Sequence, residues 1–310
     1  MRRRIAVAAT LALGVMMGQQ QKPAFYRADV HLVSLTFTVT DAKGNPVAGI
    51  QPEDVRIFED GIPQKLASLA EGSNLRFSKG GPETVGTNVF VLFNTSNCMY
   101  QWFPYVYDSI ADFVRNLNPA DSVAIYTFSR NLLRVAPLTN DHALARAGLT
   151  RAMAGDDSAL FNALLLTLRD AQRAPGRRAV VMFSNGPDNM SMVTPEDVGR
   201  VAENEGIPVY IISTIDPAKE TVLAEALRRL TARTGGKLYL ASNWQHQAKA
   251  FAEIRREIGS SYTAYYYPAP NPNERFRSLE VQIVSPSSKG YRVRAREGYQ
   301  FSQTALGATN

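Results

Sequence analysis

Hydrophobic and polar positions change their spacing twice along this chain. Residues 30–40 (VHLVSLTFTVT) alternate and are rich in β-branched side chains, the period-two pattern of a half-buried strand. Asp41-Ala42-Lys43-Gly44-Asn45-Pro46 is a turn signal, and short apolar stretches at 47–50, 55–59 and 64–70 predict further strands. Asp60-Gly61 supplies a tight turn between two of them. From residue 88 the pattern switches. Apolar runs at 88–93, 122–128, 179–183, 209–212 and 237–240 predict buried strands. Between them, helical periodicity covers 103–117, 142–153, 160–172, 195–205, 218–233 and 244–258, with Thr194 and Ser242 or Asn243 placed as N-caps. This alternation predicts an α/β fold with a doubly wound, mostly parallel sheet. The chain then reverts to β: 262–267 is aromatic-rich, and 278–284 and 291–296 alternate strictly.

The expected organisation follows. Residues 1–18 read as a signal peptide, 19–85 as an N-terminal β module with a linker, 86–260 as the α/β domain, 261–301 as a C-terminal β segment and 302–310 as a tail. The two β segments are expected to meet in one module, with the α/β domain inserted between them. The leader reading rests on Met1-Arg2-Arg3-Arg4 before an apolar stretch at 5–17. That stretch is shorter than the roughly 20 residues a membrane span requires. A secreted, periplasmic or cell-envelope protein without a transmembrane segment in its mature chain is therefore expected. An uncleaved N-terminal anchor is the other reading of the same stretch.

Composition narrows the field further. The 310 residues are 45% hydrophobic and 20% charged, enough for a large core. Net charge is +6, but losing Arg2, Arg3 and Arg4 leaves 31 Lys and Arg against 28 Asp and Glu, which gives no reason to expect nucleic-acid binding. Cys98 is the only cysteine, so an intramolecular disulfide and a cysteine-rich zinc site are both excluded. No G-x-G-x-x-G follows a strand and no Walker loop is present, which argues against dinucleotide and nucleotide triphosphate chemistry.

Several separated motifs point to one family. Phe93-Asn94-Thr95-Ser96-Asn97-Cys98 follows the first α/β strand, where the D-x-S-x-S metal loop stands in von Willebrand factor type A domains. Residues 179–189 (AVVMFSNGPDN) resemble the family's "VVLLSDGEDN", and 234–239 (TGGKLY) its "TGGRYF". The flanks resemble a secreted bacterial group of A-domain-related proteins first catalogued in Acidobacteria. The matching residues are Val39-Thr40-Asp41, Gly44-Asn45-Pro46-Val47, Glu53-Asp54-Val55, Phe58-Glu59-Asp60-Gly61 and Pro63-Gln64 before the domain. After it they are Tyr265-Tyr266-Tyr267-Pro268, Arg275-Phe276-Arg277 and 293–299 (VRAREGY).

The resemblance implies adhesion or complex assembly through loops at the C-terminal end of the sheet. It places the metal-site roles on Asn94, Ser96, Cys98, Ser158 and Asn185, so both acids of the pattern are amides here. Hard divalent ions are held by charged oxygens. A unit-charge pair at ~4 Å contributes about 4 kcal/mol at an effective dielectric near 20, and a divalent ion doubles that. Loss of two carboxylates and a soft sulfur at Cys98 predict a degenerate site without tightly bound metal. Asp156, Asp157 and Asp188 are the carboxylates that could rescue magnesium or manganese binding; for Asp188, solvent exposure or capping is the ordinary expectation.

The expected function is non-catalytic protein binding by these loops. One alternative is a structural scaffold whose contacts come from the β module or from Arg292, Arg294 and Arg296, which share a strand face and otherwise guard an edge. Another is a Cys98-dependent enzyme, for which no histidine lies nearby in sequence; a buried, unreactive thiol is the simpler reading. Tyr262, Tyr265, Tyr266 and Tyr267 are expected to pack the β module. Tyr100, Trp102, Phe103 and Tyr105 could form a contact surface beside the site or merely cover it.

Overall fold

The computed structural model of the chain describes residues 32–72, 86–97, 103–184, 186–285, 288 and 290–301. The leader, residues 73–85 of the linker and the tail lie outside the described residues. Among the described residues, no helix is long and apolar enough to cross a membrane.

The N-terminal strands are β1 (Val33–Thr40), β2 (Val55–Glu59), β3 (Ile62–Gln64) and β4 (Leu66–Glu71). The stretch 47–50 forms no strand; only Pro46 makes an isolated bridge to Thr40. The β2–β3 hairpin turns on Asp60 and Gly61, both at positive φ (51° and 78°), which the short Asp side chain and Gly tolerate.

The α/β unit follows the expected alternation. It contains β5 (Thr87–Asn94), α1 (Phe103–Arg115), β6 (Ser122–Phe128), β7 (Leu132–Thr139), α2 (His142–Gly148), α3 (Leu160–Gln172), β8 (Arg177–Ser184), α4 (Pro195–Asn204), β9 (Val209–Ser213), α5 (Thr221–Arg233), β10 (Leu238–Leu240) and α6 (Trp244–Ser260). The sheet order is β10-β9-β8-β5-β6-β7. Five strands are parallel and β7 is an antiparallel edge. Alternate side chains of β5 enter two cores, as a strand buried on both faces requires. Val89, Val91 and Phe93 face α1, α2 and α6, whereas Phe90 and Leu92 face α3, α4 and α5. Each such fully buried side chain contributes about 1.5–3 kcal/mol. Thr194 caps α4 in a reciprocal box with Asp197, and Asn243 caps α6 through the His246 amide.

The chain closes with β11 (Tyr262–Tyr266), β12 (Phe276–Ile283), β13 (Arg292–Ala295) and β14 (Gly298–Gln300). These strands pair with those from before the α/β unit. One sheet runs β13-β1-β11-β4 and the other β14-β12-β2-β3. Leu35, Phe37, Ile57, Tyr262 and Tyr266 fill the core they share. Buried within it, Arg277 Nη1 meets Glu59 Oε1 at 2.8 Å, with side chains 4% and 0% exposed. The Tyr266 and Tyr299 hydroxyls donate to Glu59 Oε2 at 3.0 and 2.9 Å. Arg277 also donates to the Asn273 carbonyl (2.8 Å) and stacks on Phe301.

Three arginines join the β strands to the α/β unit. Arg177, opening β8, donates to the carbonyls of Gly72 and Ile258 and to Ser261, where the chain leaves and rejoins the β strands. Arg296 donates to the carbonyls of Glu203 (2.8 Å) and Asn204 (3.0 Å), at the electronegative end of α4, and to Ser34 on β1 (3.0 Å). Arg294 pairs with Glu257 of α6. The expectation of a solvated or partner-facing arginine face therefore fails for Arg294 and Arg296; only Arg292 is exposed. The alternation placed them on one face, but Arg294 and Arg296 pack against the α/β unit, where Glu257 and the Gly235, Glu203 and Asn204 carbonyls accept from their guanidiniums.

Candidate functional site

The order of the parallel strands reverses at β5 and β8, and in open α/β sheets ligands bind outside the carboxyl ends of strands at that point. Asn94 ends β5 and Ser184 ends β8, so both stand there. The loop before α3 joins them from a third side: Gly155 N–H donates to the Thr95 carbonyl (2.9 Å) and Asn97 N–H to that of Asp156 (3.3 Å).

Hydrogen bonds fix how Asn94 is oriented. The Ser96 backbone N–H, a donor only, meets Asn94 Oδ1 at 2.7 Å. The amide nitrogen must then face inward, and it donates to Ser158 Oγ and Ser184 Oγ, each at 3.4 Å. Asn94, Ser96 and Ser158 are thus brought together and buried, at 0%, 1% and 4% exposure. Ser184 belongs to the same cluster. Its sequence signal was its place between the predicted strand 179–183 and the expected Asn185. Ser96 Oγ has no partner among the described residues. Cys98 and Asn185 lie outside the described residues, so the readings of Cys98 as nucleophile or inert thiol and of Asn185 as a site residue have no structural counterpart here. Tyr100 and Trp102 also lie outside, and Tyr105 is exposed in the first turn of α1.

The resemblance implies a magnesium or manganese ion at this point, and the described residues at this point do not fit one. Asn94 turns amide hydrogens, not a charged oxygen, toward the two hydroxyls. Two of the three nearby acids have other roles, and the third faces solvent. Asp157 pairs with Arg130. Asp188 accepts the N–H groups of Phe161 (3.0 Å), Met190 (3.2 Å) and Ser191 (2.8 Å), holding the start of α3 and its own loop. Asp156 is exposed. Among the described residues, no three His, Cys, Asp or Glu side chains are grouped so as to hold a metal ion.

Exposed apolar side chains also stand at this end of the sheet. Every loop that follows a parallel strand lies at this end, as does the loop before α3. Exposed large side chains stand on these loops and on the first turns they lead into: Tyr105, Met153, Met190, Met192, Val222 and Trp244. Met192 and Val222 are 93% and 85% exposed. Sequence reasoning did not single out the three methionines or Val222, because their exposure follows from how the loops fold.

No family model matches the chain, and no curated protein matches it. Solved structures do. A minor pilin, PilB, from Streptococcus sanguinis is 14% identical, covers 56% of this chain and 61% of its own, and superposes with a TM-score of 0.48. The match therefore spans less than two thirds of the pilin. BatB, a conserved hypothetical protein from Bacteroides thetaiotaomicron, is 19% identical over 56% of this chain and 100% of its own, TM-score 0.46. A von Willebrand factor type A protein from Catenulispora acidiphila is 12% identical over 92% of this chain and 78% of its own, TM-score 0.47. The fold itself, a doubly wound α/β sheet with one antiparallel edge, is described by the strand order given above.

Proposed function

We propose that this chain is an exported, non-catalytic protein-binding module whose contacts are made by the loops at the C-terminal end of the parallel sheet, without a tightly held metal. The observation that carries this reading is the set of exposed apolar side chains on the loops and first turns at the end of the sheet where the Asn94–Ser158–Ser184 cluster lies. Isolated exposed apolar residues need no explanation, but a group gathered at one end of a sheet marks an interaction surface. The buried cluster organises the loops, and the exposed loop residues touch the partner. Methionines suit this role because their flexible side chains adapt to a partner's shape. In this reading the amide of Asn94 bridges the loops where the family's ion would.

Two measurements test it. Magnesium and manganese titration by calorimetry, with a thermal melt against chelator, should give no heat and no change in Tm; tight binding would overturn the metal-free part. A photo-crosslinking residue at Met192 should capture a cell-envelope protein that the same residue at Leu166, exposed on α3 away from these loops, does not. Equal capture from both positions would sink the loop assignment.

A further inference from the structure

Helices α1 and α6 leave a groove between them with a cavity of about 410 Å³, within the range of roughly 300–1,000 Å³ typical of ligand sites. Tyr105 and Trp244, in the first turns of the two helices, line the end of the groove nearest the loops described above. Phe113 and Phe251, whose ring centroids are 5.4 Å apart, contribute its floor. Its walls carry opposite charges. Asp108 and Asp112 stand on the α1 side and Arg255 on the α6 side. Asp112 pairs with Arg115 of its own helix. The side chains of Asp108 and Arg255 make no hydrogen bond or ion pair among the described residues. An apolar floor between an unpaired carboxylate and an unpaired guanidinium is complementary to a peptide, and to one orientation of it.

Resting on the loop-binding reading above, we propose that this groove is the anchor site for the partner. It would receive a peptide segment with a large apolar side chain, flanked by lysine or arginine on the α1 side and by a carboxylate on the α6 side. The apolar side chain fills the space between Tyr105, Trp244 and Phe251. Asp108 takes the cation and Arg255 the carboxylate, which fixes the direction of the segment across the two helices. Recognition of an amphipathic segment in a groove is a common mode. The charge pair contributes direction and specificity more than affinity, because both groups remain partly solvated. The chemistry differs from ligation of a partner carboxylate through a metal ion: here the partner's carboxylate meets an arginine on the side of a helix.

The test uses the full chain carrying Trp102→Phe, which leaves Trp244 as its only tryptophan. A library of random 12-residue peptides displayed on phage is panned against it in chelator, and the enriched peptides are synthesised. The expected peptides pair an apolar anchor with a basic and an acidic flank, and they shift Trp244 emission to the blue. Asp108→Lys and Trp244→Ala (the latter made in the wild-type background and read by calorimetry) should each weaken them by about tenfold, equivalent to roughly 1.4 kcal/mol. Asp108 is exposed, so the lysine variant should keep the wild-type melting curve. Peptides weakened by Met190→Lys or Met192→Lys but indifferent to both groove substitutions would overturn the groove and leave the loop reading standing. Peptides indifferent to all four substitutions would overturn both. Failure to enrich any peptide would overturn the groove proposal. So would self-association of the chain, seen by sedimentation and abolished by Trp244→Ala, because the groove would then hold a second copy.

Discussion

Replacing Glu59 with Gln removes the counter-charge of Arg277 while almost preserving shape. Arg277 is 4% and Glu59 0% exposed at the side chain, and their 2.8 Å contact lies inside the β core. Removing one partner of a buried pair leaves an uncompensated charge, at a cost of about 3–5 kcal/mol. At roughly 2–4 °C per kcal/mol for a domain of this size, Tm should fall by about 6–20 °C. Adding Arg277→Met removes the stranded charge, so the double variant should be more stable than Glu59→Gln alone, even though the Tyr266 and Tyr299 hydroxyls then lose their ionic acceptor. Urea unfolding of the wild type, both single variants and the double variant, followed by far-UV circular dichroism, measures the coupling by linear extrapolation. A Glu59→Gln loss below about 1 kcal/mol, or a double variant losing as much as the summed singles, would refute the argument.

Four further outcomes are expected. Restoring the family pattern with Asn94→Asp, Cys98→Ser and Asn185→Asp should create magnesium affinity measurable by calorimetry, because two carboxylates return to the end of the sheet; no gain would sink the alignment of these loops. Burial, with nearby carboxylates, pushes the hydroxyls of Tyr126 and Tyr299 up to about 12. An acid with a raised folded pKa stabilises the fold fully below its unfolded value near 10 and progressively less as pH rises toward 12, so urea midpoints should fall across that window; a flat profile from pH 10 to 12 would contradict this. At Asp60, burial pushes the pKa up, but hydrogen bonds from Asn271, Ser278 and Asn273 outweigh it and hold the carboxylate at about 2. Its contribution is present above the usual 3.8 and should vanish as pH falls through 2, and Asp60→Asn should flatten that acid limb of the stability curve. Gly236→Ala would place a Cβ 1.9 Å from the Val209 carbonyl oxygen, so backbone must move; a Tm unchanged from wild type would show that the T-G-G turn has more room than this geometry gives it.

The α/β pattern was legible because β5, β6, β8 and β9 are buried on both faces and read as largely apolar runs. Strand β7 was missed for the opposite reason. Its burial follows no alternation, and Pro137 lies within it, a residue that sheets accept at an edge. The predicted helix 142–153 ends at Gly148, where a Cβ would lie 2.5 Å from the Val135 carbonyl oxygen. Such close packing between segments leaves no local trace. At the site, the resemblance implied Asn94, Ser96 and Ser158, and the three lie together in the structure. That Asn94 points its amide nitrogen at Ser184 could not be read from the sequence, because a long-range contact across two strands sets it. The arginine alternation likewise gave a face without saying what covers it: Arg296 reaches α4 carbonyls that are some 90 positions away in sequence.

The pairing of β1 with β11 also sets an order in time. Val33 lies beside Tyr266 and Phe37 beside Tyr262, so this contact closes a loop of more than two hundred residues. Loop closure on that scale carries a larger entropic cost than the neighbour-to-neighbour contacts of the α/β unit, which can be made as each strand and helix emerges. The first four strands therefore wait, with open edges, until the last four arrive. A chain emerging N-terminus first would complete its middle before its beginning, and any interruption before residue 276 would leave β2 without its partner β12, exposing a ready template for aggregation.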